Sequence, residues 1–130
     1  MKLTKFDVQK RVSHKGRSID LDGFAWDENT NTFSSNLDDL VLDFNDVCEC
    51  TFKTGSRCHF NTWHNCVFIT KGECTFVTGW FCNFKTKCDC NFSTGSECTF
   101  KTGSRCNFST GNKCTFDTGS KCDFSTGHDC

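Results

Sequence analysis

From Cys50 to Cys130 apolar and polar positions follow one octapeptide, Cys-x-Phe-x-Thr-Gly-x-x, without interruption. Cys opens each unit, Phe holds the third place from Phe52 to Phe124, and Thr the fifth from Thr54 to Thr126. Gly follows the Thr except at Trp63, Lys71 and Lys87. Over five places the constant residues alternate with variable ones. Alternate side chains of a strand share a face, so Cys, Phe and Thr are predicted to point inward. The outward places hold mostly polar residues such as His59, Asn91, Lys53 and Ser93. The Gly-x-x segment is expected to turn the corner through backbone angles that Gly adopts readily. A period this short means one unit stacked on itself, with coils ~4.8 Å apart as parallel ladders.

Two octapeptides per coil give a flattened β-roll, three a triangular prism. Two are preferred, because facing sheets ~10 Å apart leave room for one Phe from each side. The antiparallel return then sets each Cys against a Thr of the other sheet. At a spacing of two repeats, Arg57–Glu73, Asp89–Arg105, Glu97–Lys113 and Lys113–Asp129 become opposite-charge neighbours, while Glu73–Asp89 and Arg105–Lys121 are like pairs.

Before the repeat the patterning is weaker. Phe6 and Val8 alternate with charged residues, as in a half-buried strand. Ile19 and Leu21, then Phe24 and Trp26, flank Asp22-Gly23 and read as a β-hairpin. Residues 28–35 read as a polar loop. Leu40, Leu42 and Phe44 resume period two. Counting back from Cys50 and Phe52 puts Leu42 in the Cys place and Phe44 in the Phe place, a degenerate first repeat. The predicted architecture is all-β: an N-terminal β capping region, residues 1–41, and a β-solenoid, residues 42–130. Such a stack needs a cap, because its end strands are otherwise unpaired.

Composition changes the picture at a few points. With 130 residues the chain holds one domain and an appendage. Residues 1–17 are basic, but the net charge of −1 gives no global argument for nucleic acid. Thirteen cysteines suggest a disulfide scaffold, yet the count is odd. The first residues have no apolar leader core and no stretch is long enough to span a bilayer, so synthesis in a reducing cytosol without membrane association is expected. Reduced, buried thiols are the first expectation for the column, with inter-coil disulfides and a metal-thiolate ladder as alternatives. Cys48 and Cys88 fall at outward turn places and are the candidates for reactive thiols. His14, His59, His64 and His128 are scattered, and no catalytic set, metal site, cofactor motif or small-molecule substrate is indicated.

Outward places turn apolar at Trp63, Val67, Ile69, Val77, Trp80 and Phe81. Such a cluster marks either a partner surface or a seat for the N-terminal hairpin. The repeat also runs undamaged to its last unit, so Phe116 and Phe124 are expected to border an open edge, a second interface candidate.

Runs such as Cys-Asn-Phe-Ser-Thr-Gly-Ser-Glu-Cys-Thr-Phe-Lys-Thr-Gly-Ser-Arg (residues 90–105) resemble the octapeptide arrays of mostly uncharacterised proteins of tailed bacteriophages and large viruses. The resemblance covers about residues 42–130. It implies a structural or accessory virion-type β-solenoid, with assembly into a virus particle; the partner expected, from the open last edge, is the chain itself, end to end, or another virion-type protein. It transfers no catalytic residue. Ice binding, thiol chemistry and metal binding are the alternatives. The first needs a regular outward array of Thr, whereas Thr54 and its equivalents are predicted inside.

Overall fold

A computed structural model describes residues 2–130. The chain winds into a two-sheet β-solenoid in which each coil takes two octapeptides. Strands β6 (Thr51–Lys53), β8 (Val67–Ile69), β10 (Asn83–Lys85), β12 (Thr99–Lys101) and β14 (Thr115–Asp117) stack in parallel in one sheet. Strands β7 (His59–Thr62), β9 (Thr75–Val77), β11 (Asn91–Ser93), β13 (Asn107–Ser109) and β15 (Asp123–Ser125) stack in the other. The register advances by one coil at a time: Phe84 pairs with Phe68 and Phe100, and Phe92 with Phe76 and Phe108.

Alternation fixes what is inside. Phe52 to Phe108 and Cys50 to Cys114 are buried. Within a sheet the rings stack face to face, Phe84 on Phe100 at 4.8 Å and 2°. Across the sheets they meet edge to face, Phe92 on Phe100 at 5.1 Å and 80°. One coil spacing sets the first geometry, and the sheet gap permits the second, which the ring quadrupole favours. Thr lies beside the Cys across the corner, Thr62 by Cys66 and Thr94 by Cys98. Its hydroxyl donates to the next carbonyl, as Thr102 does to Gly103 at 3.2 Å. Thr54 and Thr62, in the coil beneath the N-terminal region, bury their hydroxyls without a partner among the described residues.

The corner is built differently from the sequence expectation. The left-handed residue is the eighth of each repeat, from Glu49 (φ 63°) and Arg57 (φ 55°) to Asp129 (φ 63°). Among the glycines, Gly16 has positive φ. The repeat Gly is needed for space instead. A Cβ on Gly111 would lie 2.9 Å from the Ser96 nitrogen and 3.0 Å from the Gly95 carbonyl carbon. That approach lets the Gly111 N–H donate to the Gly95 carbonyl at 3.2 Å. Lys71, one of the exceptions, makes the same bond at 3.4 Å.

The N-terminal region departs further. Residues 5–9 form a helix, α1 (Lys5–Gln9), not a strand, because Thr4 and Asp7 make a reciprocal capping box. Val8 is buried beneath it and Phe6 is exposed. The hairpin turns at Lys15-Gly16, between β1 (Val12–His14) and β2 (Arg17–Ser18), while Leu21–Gly23 is a 3₁₀ turn. A second antiparallel pair joins β3 (Ala25–Asp27) to β4 (Thr32–Ser34), so the expected polar loop contains a strand. Strand β4 stacks in parallel on β6, with Phe33 over Phe52. Strand β5 (Leu40–Phe44) pairs with β7, but Leu42 stands opposite Phe60 and Phe44 opposite Thr62. The degenerate repeat is therefore displaced by two residues. A shift of two preserves side-chain direction, so Leu40, Leu42 and Phe44 all remain inside. Antiparallel β1 on β5 and β3 on β4 end the parallel ladder.

Candidate functional site

Corners alternate between the two long edges of the roll. Trp63, Trp80 and Phe81 belong to the edge that follows β7 and β9, and Val77 and Val67 are the outward residues immediately before and after corners on that edge. The structure thus gathers five of the six apolar candidates around one edge of two adjacent coils. Ile69 is separated from them, since it precedes a corner on the opposite edge. Trp63, Val77, Trp80 and Phe81 are each about half exposed.

The N-terminal region does not cover them. Phe24 packs on Phe33 at 5.2 Å and Trp26 on Phe44 at 6.4 Å, at the end of the Phe column. The Trp26 indole N–H donates to the Leu3 carbonyl at 2.9 Å. Of the two fates expected for the patch, intramolecular docking is ruled out by this placement.

One of the scattered histidines organises the edge. His64 lies between Trp63 (4.3 Å) and Trp80 (5.0 Å), and its Nδ1 accepts the Trp80 backbone N–H at 2.8 Å. This contact belongs to a relay through the seventh place of the repeat. Ser96 Oγ accepts the Asn112 N–H at 2.9 Å, and Asn112 Oδ1 accepts the His128 N–H at 2.7 Å. On the opposite edge, Ser104 Oγ accepts the Ser120 N–H at 3.1 Å. The enrichment of Ser, Asn and His at that place was the available signal.

Cys88 serves the same relay. Its sulfur accepts the Ser104 N–H at 3.3 Å, and it is half-buried. Cys48 is exposed. The column cysteines are all free thiols. Each donates weakly to corner carbonyls, as Cys98 does to Gly79 at 3.5 Å, and Cys74, Cys98, Cys122 and Cys130 also accept from the coil before, as Cys98 does from the Cys82 N–H at 3.5 Å. A small apolar side chain with a weak donor and acceptor fits that position. Burial pushes the Cys50 thiol up to about 12 and also raises Cys114. Among the described residues no three His, Cys, Asp or Glu side chains form a metal-binding group.

At the far end Phe116 is half-buried and Phe124 is 49% exposed. Strands β14 and β15 terminate their sheets. The charged corners behave unevenly. Arg105 pairs with Asp89 at 3.0 Å, but Arg57 turns to Asp39 at 2.9 Å rather than to Glu73. Among the described residues no ion pair joins Glu97 to Lys113. Compared with protein-family models, curated proteins and solved structures, the chain matches none.

Proposed function

We propose that this chain is a non-enzymatic structural β-solenoid of the virion or accessory type, which joins a second copy of itself through its last coil. The observation that carries this reading is the state of the β14–β15 face. Asp123 donates back to the Cys106 carbonyl at 3.0 Å and Ser125 accepts from Thr110 at 3.0 Å. By alternation Phe116 and Phe124, between such residues, direct both N–H and C=O off the open face. Beside them the Phe124 ring is half exposed.

Charge supports one arrangement. The two corners of the last coil carry Lys121 and Asp129, one on each edge. A twofold axis along the sheet normal pairs β15 with β15 of the partner, antiparallel, and β14 likewise. Phe124 then faces its own copy as a hydrogen-bonded pair. Lys121 meets Asp129 at both edges. A twofold axis along the strands would place Lys121 on Lys121 and Asp129 on Asp129.

Light scattering over a wide concentration range tests this reading. The expected result is a mass that rises toward the dimer and is held at the monomer by Phe124→Lys, which replaces the half-exposed ring of the open face with a charge. A parent that stays monomeric at its highest concentration contradicts it.

A further inference from the structure

The edge bearing Trp63, His64, Trp80 and Phe81 departs from the repeat in three ways, each with a physical cost. Trp63 stands where most repeats keep Gly. Trp80 stands in the relay place, where an indole has no acceptor to offer the next coil. Phe81 holds φ 61° with an aromatic side chain, whereas the corresponding corner residues elsewhere are charged or Asn. A bulky residue in that region is strained, and such strain gathers at functional positions. The replacements fall on two consecutive coils and expose their rings to solvent.

The surroundings define the chemistry. Asn61 is the ladder neighbour of Val77, and Asn83 of Val67. The Asn65 N–H donates to the Trp80 carbonyl at 3.0 Å, which places Asn65 beside Phe81 on the corner. The acidic corner residues Glu49 and Glu97 stand one coil to either side. Because His64 Nδ1 accepts a backbone N–H, the neutral ring carries its proton on Nε2, a donor between the two indoles. The edge therefore offers aromatic faces, one imidazole donor and three neutral amides, each amide with both donors and acceptors.

We infer that this edge binds a neutral saccharide chain, stacked on Trp63 and Trp80 and hydrogen-bonded by His64 and the flanking Asn side chains. The negative face of an aromatic ring attracts the C–H-rich face of a sugar ring. Side-chain amides match adjacent hydroxyls, which also donate and accept. An anionic polymer would find Glu49 and Glu97 at the margins. Size separates the saccharide from a protein partner. Two coils stand ~10 Å tall, a height that accommodates one or two sugar rings. A stable protein interface needs ~800 Å² per partner. The convex edge leaves both ends of the platform open, as a chain laid across it requires. This goes beyond the scaffold role and is independent of the last coil.

The test is NMR titration of the 130-residue protein with cellohexaose, chitohexaose and maltoheptaose at millimolar concentration, following indole N–H resonances. Trp26, tied to the Leu3 carbonyl, is the internal control. Saturable shifts of Trp63 and Trp80, with Trp26 unmoved, are expected from at least one of the three. Trp63→Gly and Trp80→Ser restore the repeat's own residues, so the fold should survive, with affinity reduced about tenfold or more. The inference is overturned if none of the three oligomers moves either indole. It is equally overturned if the indoles respond to protein concentration alone, which would assign the edge to a second copy.

Discussion

The two ends of the stack are built differently. At the N-terminal end the ladder is closed by reversal: β1 lies antiparallel on β5 and β3 on β4, and their outer strands are only two and three residues long. Arg17 and Asp27 lie on those short edges, which repel further strands. Phe24 and Trp26 cover Phe33 and Phe44, and Arg11 adds an ion pair to Asp46 at 2.6 Å with its guanidinium 5.7 Å from the Phe44 ring. The last coil has the same strand and corner as the coils before it, with the Phe124 ring half exposed. The difference teaches that each coil of the repeat offers the next the same pairing edge. Ending the ladder takes residues that break the repeat.

The largest expected effect separates the middle of the stack from its last coil. Phe100→Ala removes a ring enclosed on all sides and should cost ~3–5 kcal/mol. Phe124→Ala removes a half-exposed ring and should cost roughly 1 kcal/mol in dilute protein, where less apolar area is lost from the core. Ser93→Ala and Lys101→Ala, both outward, should stay within roughly 0.5 kcal/mol. Denaturant midpoints check all four, and equal losses at Phe100 and Ser93 would contradict the packing.

Glycines sharpen the comparison between cap and coil. Gly111→Ala forces a Cβ against the Ser96 backbone and should cost ~1–3 kcal/mol through overpacking. Gly16→Ala meets no atom within 4 Å and pays only for its φ of 80°, roughly 1 kcal/mol. Thermal unfolding of both variants gives the order. A reversal would return the corner to the conformational explanation.

The smallest effects concern pH and act on the two regions from opposite sides. Asp46 is held below the usual carboxylate range by the hydrogen bond from Arg11, Asp39 by that from Arg57, and Asp7 by the Thr4 backbone N–H. Asp89, beside Arg105, is lowered within the stack. A depressed carboxylate contributes stability above its unfolded value of 3.8 that is lost as pH falls through the folded value. Acid below about pH 4 should therefore loosen the N-terminal region first. A raised thiol has the opposite sign. Cys50 contributes stability below the ordinary value of 9.0 that is lost as pH rises toward about 12. Hydrogen exchange at both extremes should show cap amides failing in acid and the amides around Cys50 in alkali.

Much of this architecture was legible. Phe, Cys and Thr alternate so strictly that their inward direction, the two-sheet roll and the central ring column all follow from one repeat and the width of a Phe. The role of Gly was not, because it depends on the neighbouring coil's backbone and not on the residue's own angles. The displacement of Leu42 was hidden for a related reason: a shift of two leaves the apolar alternation unchanged. Thr4 and Asp7 carried the helix signal, but the alternation of Phe6 and Val8 suggested a strand. At the candidate site the apolar residues were visible one by one. Their grouping required knowing that successive corners fall on opposite edges, which gathers Trp63 with Trp80 and sends Ile69 away. His64 was invisible as an organiser, since its contact is with a backbone amide one coil on.

The most direct measurement for the proposed association of open ends is a charge swap at the two last corners, read by sedimentation equilibrium. Lys121→Glu should hold the chain at the monomer mass of 14.7 kDa, and Asp129→Lys should do the same. The double variant, Lys121→Glu with Asp129→Lys, should recover the concentration-dependent dimer of the parent. A parent that remains at one chain's mass throughout, or a double variant no better associated than either single one, would contradict the account.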